Sequence, residues 1–211
     1  MQMIQPVNLE DRIAFAGIGS RETPSDVLDE MRVYSSILLC NNYILRSGGA
    51  DGADSAFADG HWFETKGFHQ KEIYNPQGPI IAGNDPAARA IAQATHPAWN
   101  ALSPYAKQLM TRNVNIILGY ELNDPVKFVI CWDNPNKKYG GTKFGIKLAK
   151  DRNIPVYNMA IDNDYKQLVN EMLELYNYLP DDVKSFLNSV HYNEIPEFLT
   201  KNYKPLKKRL K

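Results

Sequence analysis

The strongest constraint on the fold is an order that recurs along the chain: a short apolar run, a turn, then a segment marked as a helix start. Residues 13–18 (IAFAGI) form such a run and lead into glycine, the pattern of a strand buried on both faces. Thr23, Pro24, Ser25 and Asp26 follow. Thr23 suits a helix cap, Pro24 the first helical position and Asp26 a first-turn acid. Val27, Met31, Tyr34 and Leu38 then mark one face of a helix ending near Asn41 and Asn42. The order repeats as a strand over 43–46, a helix over 53–66 and a strand over 72–74. Helices over 87–94 and 103–118 come next, the second with Ser103 as cap and Pro104 at its first position. Residues 126–132 (VKFVICW) give the most pronounced strand, followed by a polar loop, the turn Gly140-Gly141-Thr142, a helix to about residue 152 and a last strand over 155–158.

Strands that alternate with helices predict an α/β fold, a Rossmann-like, mostly parallel sheet flanked by helices. Right-handed crossovers place every strand-to-helix turn along one sheet edge, where open α/β sheets bind ligands. The expected organisation is a Rossmann-like nucleotide-binding domain over 1–160, a helical extension over 161–200 packed on it, and a basic tail over 201–211. In the extension, Tyr165, Leu168, Met172 and Leu175 share one apolar face. Pro180 opens a second helix carrying Val183, Phe186, Leu187 and Val190. Such a hairpin could serve a homo-oligomer interface.

Composition excludes several classes. The 211 residues are 44% hydrophobic and 23% charged, globular values that argue against disorder. No run approaches the roughly 20 apolar residues of a membrane span, and the first residues lack the basic-then-apolar order of a signal peptide. A cytoplasmic protein without a membrane partner is expected. Cys40 and Cys131 form no CxxC pair, and His61, His69, His96 and His191 lack metal spacing. Neither a disulfide, a metal site nor a required cofactor is therefore expected. Charges balance at 24 of each sign, but six of the basic residues fall in 201–211. Residues 1–200 are left with 18 basic against 24 acidic side chains, about −6. A basic tail can contact nucleic-acid phosphates; the acidic body cannot help it.

The chemistry concentrates in three turns. The first holds Gly17, Gly19, Ser20, Arg21 and Glu22 between a strand and a helix. Glycine admits close backbone approach, the helix start attracts anions, Ser20 can donate to a phosphate and Arg21 can grip one with two bonds. The second holds Ser47, Gly48, Gly49, Asp51, Gly52 and Asp54, without the GK[ST] of a Walker loop. Its two acids are better suited to sugar hydroxyls than to phosphate. Gly140, Gly141 and Thr142 form the third turn. Arg112 and Asn113 lie in an apolar helical stretch, and Trp132 ends the strongest strand at the ligand-binding edge, placed equally well for stacking on a base or for packing. Glu22 is the one candidate general base, and Arg112 a second weak catalytic candidate.

As an ordered set these motifs resemble the DNA-processing protein A (Smf) family, within the Rossmannoid group that includes the LOG cytokinin-activating phosphoribohydrolases. GIGSRE is similar to that family's first turn and SGGADGAD to its SGxAxGID signature. Tyr74-Asn75-Pro76, Thr111-Arg112-Asn113 and Gly140-Gly141-Thr142 follow in the family's order, the whole spanning about residues 13–160. The compact length also fits phage-encoded proteins of this type. Phe57 stands where the Smf signature usually has histidine, and 161–211 does not resemble a winged helix. Gly145 stands where LOG enzymes carry their catalytic glutamate, and no acid lies between Gly140 and Ala149. Three readings follow: a binding protein for a small phosphate-bearing nucleotide ligand, a single-stranded DNA-binding recombination mediator, and an N-glycosidic hydrolase. The first is preferred.

Overall fold

The computed structural model describes residues 4–8, 11, 13–60, 71–134, 136–191 and 194–201. The strands are β1 (Ile13–Gly19), β2 (Tyr43–Ser47), β3 (Lys71–Asn75), β4 (Ile80–Ile81), β5 (Val129–Trp132) and β6 (Val156–Asn158). They form one parallel sheet in the order β4-β3-β2-β1-β5-β6. The helices are α1 (Ser25–Cys40), α2 (Ala53–Gly60), α3 (Pro86–Thr95), α4 (Pro104–Leu118), α5 (Gly141–Lys150), α6 (Asp162–Tyr178), α7 (Asp181–Val190) and α8 (Ile195–Lys201). This is the expected Rossmann-like α/β fold.

Strand alternation sends side chains to two separate cores. Phe15, Leu45, Ile130 and Trp132 pack on one face with α1, α2 and α6. Ala14, Ala16, Ile18, Val129 and Cys131 pack on the other with α3, α4 and α5. Fully burying a large side chain such as Phe15 is worth about 1.5–3 kcal/mol, so a sheet covered on both faces needs apolar residues at nearly every strand position. The predicted faces of α1 and α6 are buried as sets: Val27, Met31, Tyr34 and Leu38 on one, Tyr165, Leu168, Met172 and Leu175 on the other. Two buried carboxylates fasten α6 in place. The Tyr165 hydroxyl donates to Glu30 of α1 at 2.6 Å, and Tyr157 of β6 donates to Glu171 at 2.7 Å.

Local differences from the sequence-based expectations have physical causes. Thr23 does not cap α1; its hydroxyl donates to the Ser20 carbonyl at 2.7 Å, and Pro24 takes the cap position without a side-chain bond. Ser103 does cap α4, accepting from Ala106 N at 3.2 Å. Asp85 caps α3 by accepting from Ala87 N and Ala88 N. Of the run over 126–132, only Val129–Trp132 is strand, with Val129 opposite Ala16 of β1. Lys127 N nonetheless already donates to the Ala14 carbonyl at 2.7 Å. In α7 only Leu187 is fully buried, while Phe186 and Val190 are about half exposed. The predicted end of the second helix, over 61–66, and the tail beyond residue 201 lie outside the described residues. No helix among those described is long and apolar enough to cross a membrane.

The order places β1 between β2 and β5. Connections leave in opposite directions on either side of it, which opens a crevice beyond the carboxyl ends of β1 and β5.

Candidate functional site

A cleft of about 450 Å³ occupies that crevice, within the range of small-ligand sites. The first turn contributes Gly19, Ser20, Arg21 and Glu22; the second, Ala50 and Asp54; the third, Gly140, Gly141 and Thr142. Helix α4 closes one wall with Leu109, Met110, Arg112 and Asn113, and Asp133 enters from the end of β5. The three turns therefore meet, as crossover handedness predicts.

Asp54 is the tie between the first two turns. It is buried, accepting from Gly19 N on one carboxylate oxygen and from Ala50 N on the other, both at 3.3 Å. These bonds go to backbone and hold the first two turns together, while Asp54 still lines the cleft. Asp51 is exposed and lies off the cleft. Gly17, Ser47, Gly48, Gly49 and Gly52 also support the cleft without lining it. Ser47 is buried and donates its hydroxyl to the Gly17 carbonyl at 2.7 Å. Gly52, at φ +88°, packs against the first turn: a Cβ there would stand 3.0 Å from the Arg21 Cα, in a conformation a side chain would strain.

Arg112 is the unusual group. It is 6% exposed, and its nearest acid is Asp54, with Nη1 to Oδ2 at 3.9 Å. Its Nε is buried without a partner, and among the described residues no hydrogen bond to any part of the guanidinium is formed. Burial lowers the Arg112 pKa and raises that of Asp54 despite their mutual attraction. The pair by itself thus does not offset the cost of removing both charges from water. Arg46 shows how this fold satisfies a buried guanidinium when the purpose is structural. Its Nε donates to Glu72 at 2.6 Å, and Nη1 and Nη2 donate to the carbonyl and carboxylate of Asp124 at 2.5 Å each. The Arg112 guanidinium has room only because residue 48 is glycine: a Cβ there would stand 1.5 Å from Nη1.

Around Arg112 the remaining donors converge. Helix α5 begins at Gly141 with no side-chain cap and no acid in its first turn, which leaves its first N–H groups available to an anion. Asn113 donates to the Gly141 carbonyl at 3.3 Å, holding the third turn against α4. The Ser20 hydroxyl oxygen accepts from Glu22 N at 3.1 Å, so its proton remains free to donate. Each of the three acids lining the cleft faces a cation: Asp54 faces Arg112 at 3.9 Å, Glu22 pairs with Lys137 at 2.6 Å, and Asp133 with Lys143. Arg21 is exposed and makes no ion pair among the described residues.

No protein-family model matches the chain, and neither a curated protein nor a solved structure matches it. The site must be read from its own chemistry.

Three further expectations are resolved by the geometry. Glu22 is a poor general base, because hydrogen bonds from Lys137 and Asn134 hold its carboxyl below the ordinary value. Gly145, matched to the LOG glutamate, is where α5 meets β1; a Cβ there would lie 2.7 Å from Ile18 Cδ1. Trp132, which sequence placed equally well for stacking or packing, is 3% exposed in the core shared with α1 and α2 and does not line the cleft. Asp133, which sequence reasoning passed over, is 8% exposed and does line it. Its signal was an acid directly after the most pronounced strand. Among the described residues no group of three or more His, Cys, Asp or Glu side chains is placed to hold a metal ion.

Proposed function

We propose that this chain binds a phosphate-bearing nucleotide in the cleft at the carboxyl ends of β1 and β5, with the phosphate at Arg112. The observation that carries the reading is a buried arginine at the cleft whose Nε is enclosed without a hydrogen-bond partner among the described residues. Each unsatisfied buried donor costs roughly 1–3 kcal/mol, and a phosphate dianion offers acceptors matched to the guanidinium fork. Ser20, Arg21, Thr142 and the open start of α5 supply the other donors. The same turns support the proposed relation to DNA-processing protein A. Cleavage of an N-glycosidic bond is the second reading, and Asp133 favours it as a carboxylate in the cleft. Its pairing with Lys143 suits it better to holding a hydroxyl than to activating water.

The test is thermal unfolding of the purified protein with nucleoside monophosphates, dinucleotides, cyclic nucleotides, inorganic phosphate and oligo-dT, with released base assayed in parallel. Saturation at a hundred times Kd is expected to add about 2.7 kcal/mol. Arg112→Met is expected to abolish that gain; because the Arg112–Asp54 contact is long, at 3.9 Å, and Asp54 keeps its backbone donors, the ligand-free protein should lose less than the roughly 3–5 kcal/mol of breaking a close buried pair. A loss of about 3–5 kcal/mol without ligand would mark Arg112 as a structural brace instead. Salt-sensitive binding of oligo-dT alone would transfer the reading to single-stranded DNA, and base release from a monophosphate would establish hydrolysis.

A further inference from the structure

The cleft lining holds two chemically different groups. Arg112 is buried, 6% exposed. Tyr139 is 70% exposed and, among the described residues, the one aromatic side chain lining the cleft. Exposure alone is no signal, since Tyr105, Tyr120 and Tyr178 are comparably exposed elsewhere. What distinguishes Tyr139 is the segment that carries it. On one side Lys137 bonds Glu22 of the first turn at 2.6 Å, and Asn134 reaches the same carboxylate at 3.4 Å. On the other side Asn113 bonds the Gly141 carbonyl at 3.3 Å. The ring is thus presented by backbone tied on both sides of it. Met110 approaches the same segment: its Cε would lie 3.7 Å from a Cβ on Gly141, two residues from Tyr139. An aromatic ring and a thioether in the lining of one cleft offer surface to a flat apolar body.

We infer that Tyr139 is the base-stacking residue of this cleft, so that its ligand is a single nucleotide lying with phosphate at Arg112 and base against Tyr139 and Met110. The inference rests on the proposed nucleotide reading and sharpens it, since a sugar phosphate would use Arg112 and not Tyr139. A tyrosine face accepts any base, because every base presents a π surface. Selectivity for nucleotide over sugar phosphate is therefore expected without strong selectivity among bases.

Calorimetric titration with purine and pyrimidine nucleoside 5′-monophosphates, set against ribose 5-phosphate, tests it. Wild-type protein should bind the nucleotides roughly tenfold or more tightly than ribose 5-phosphate, the scale of one base stacked on a ring. Tyr139→Ala should remove that preference while leaving ribose 5-phosphate affinity unchanged, and Tyr139→Phe should keep it. Because the ring is exposed, both variants should melt with the wild type. Equal weakening of nucleotide and sugar phosphate by Tyr139→Ala, or no weakening, overturns the role of Tyr139, as does equal wild-type affinity for the two ligand classes. Absence of binding by both classes overturns the nucleotide reading itself, and this inference with it.

Discussion

At the scale of single residues, the site depends on what is missing as much as on what is present. Gly48 has no side chain, and the Arg112 guanidinium fills the space a Cβ would take. Gly48→Ala should therefore push Arg112 out of its seat, abolishing nucleotide-dependent stabilisation at a cost of about 1–3 kcal/mol to the ligand-free fold. Thermal melts with and without ligand measure both effects, and an unchanged ligand shift would show that Arg112 does not hold the phosphate. Residue identity in the sequence pointed to Arg112, Ser20 and Thr142 as donors. It could not show that Arg112 is buried with its Nε unpartnered among the described residues, because that depends on which acceptors α4 passes. Trp132 was undecided for a different reason. In a strand buried on both faces every position is apolar, so the sequence carries no phase to say which way a given ring points.

At the scale of elements, the alternation of strand and helix was legible almost throughout, whereas the ties between elements were not. Arg46 looked like an ordinary strand residue. It is 4% exposed and joins β2 to Glu72 on β3 and to Asp124 in the loop before β5. Glu72 also accepts from the Tyr74 hydroxyl at 2.7 Å. Arg46→Met removes the cation that Glu72 faces at 2.6 Å. Loss of one partner from a buried pair costs about 3–5 kcal/mol; because Asp124 is largely exposed, the lower end is expected. Urea unfolding should show it, and Glu72→Gln in the same chain should restore part of the loss. An Arg46→Met protein as stable as wild type would mean that strand pairing alone orders this edge.

At the scale of the whole molecule, the C-terminal helices complete the core on one sheet face rather than forming a separate body. One joint is sensitive to pH. His191, at the end of α7, meets the Ser36 hydroxyl of α1 at 2.7 Å, and burial, assisted by the charge of Arg32, lowers its pKa. A histidine whose folded pKa lies below its ordinary value of about 6.5 contributes stability above that value. That contribution is lost as pH falls through the folded pKa. The melting temperature should therefore drop between about pH 7 and pH 5, and the drop should be smaller in His191→Gln; an identical pH profile would exclude this joint. The sequence by itself determined the class of fold, the place of the three turns at one sheet edge and the faces of the helices, because periodicity and local turn chemistry act over a few residues. Only the tertiary structure decided which groups share the cleft: Arg112 buried beside Asp54, Asp133 at the end of β5, and Tyr139 rather than Trp132 in its lining. Burial and pairing are set by neighbours that the chain brings together from tens of residues apart.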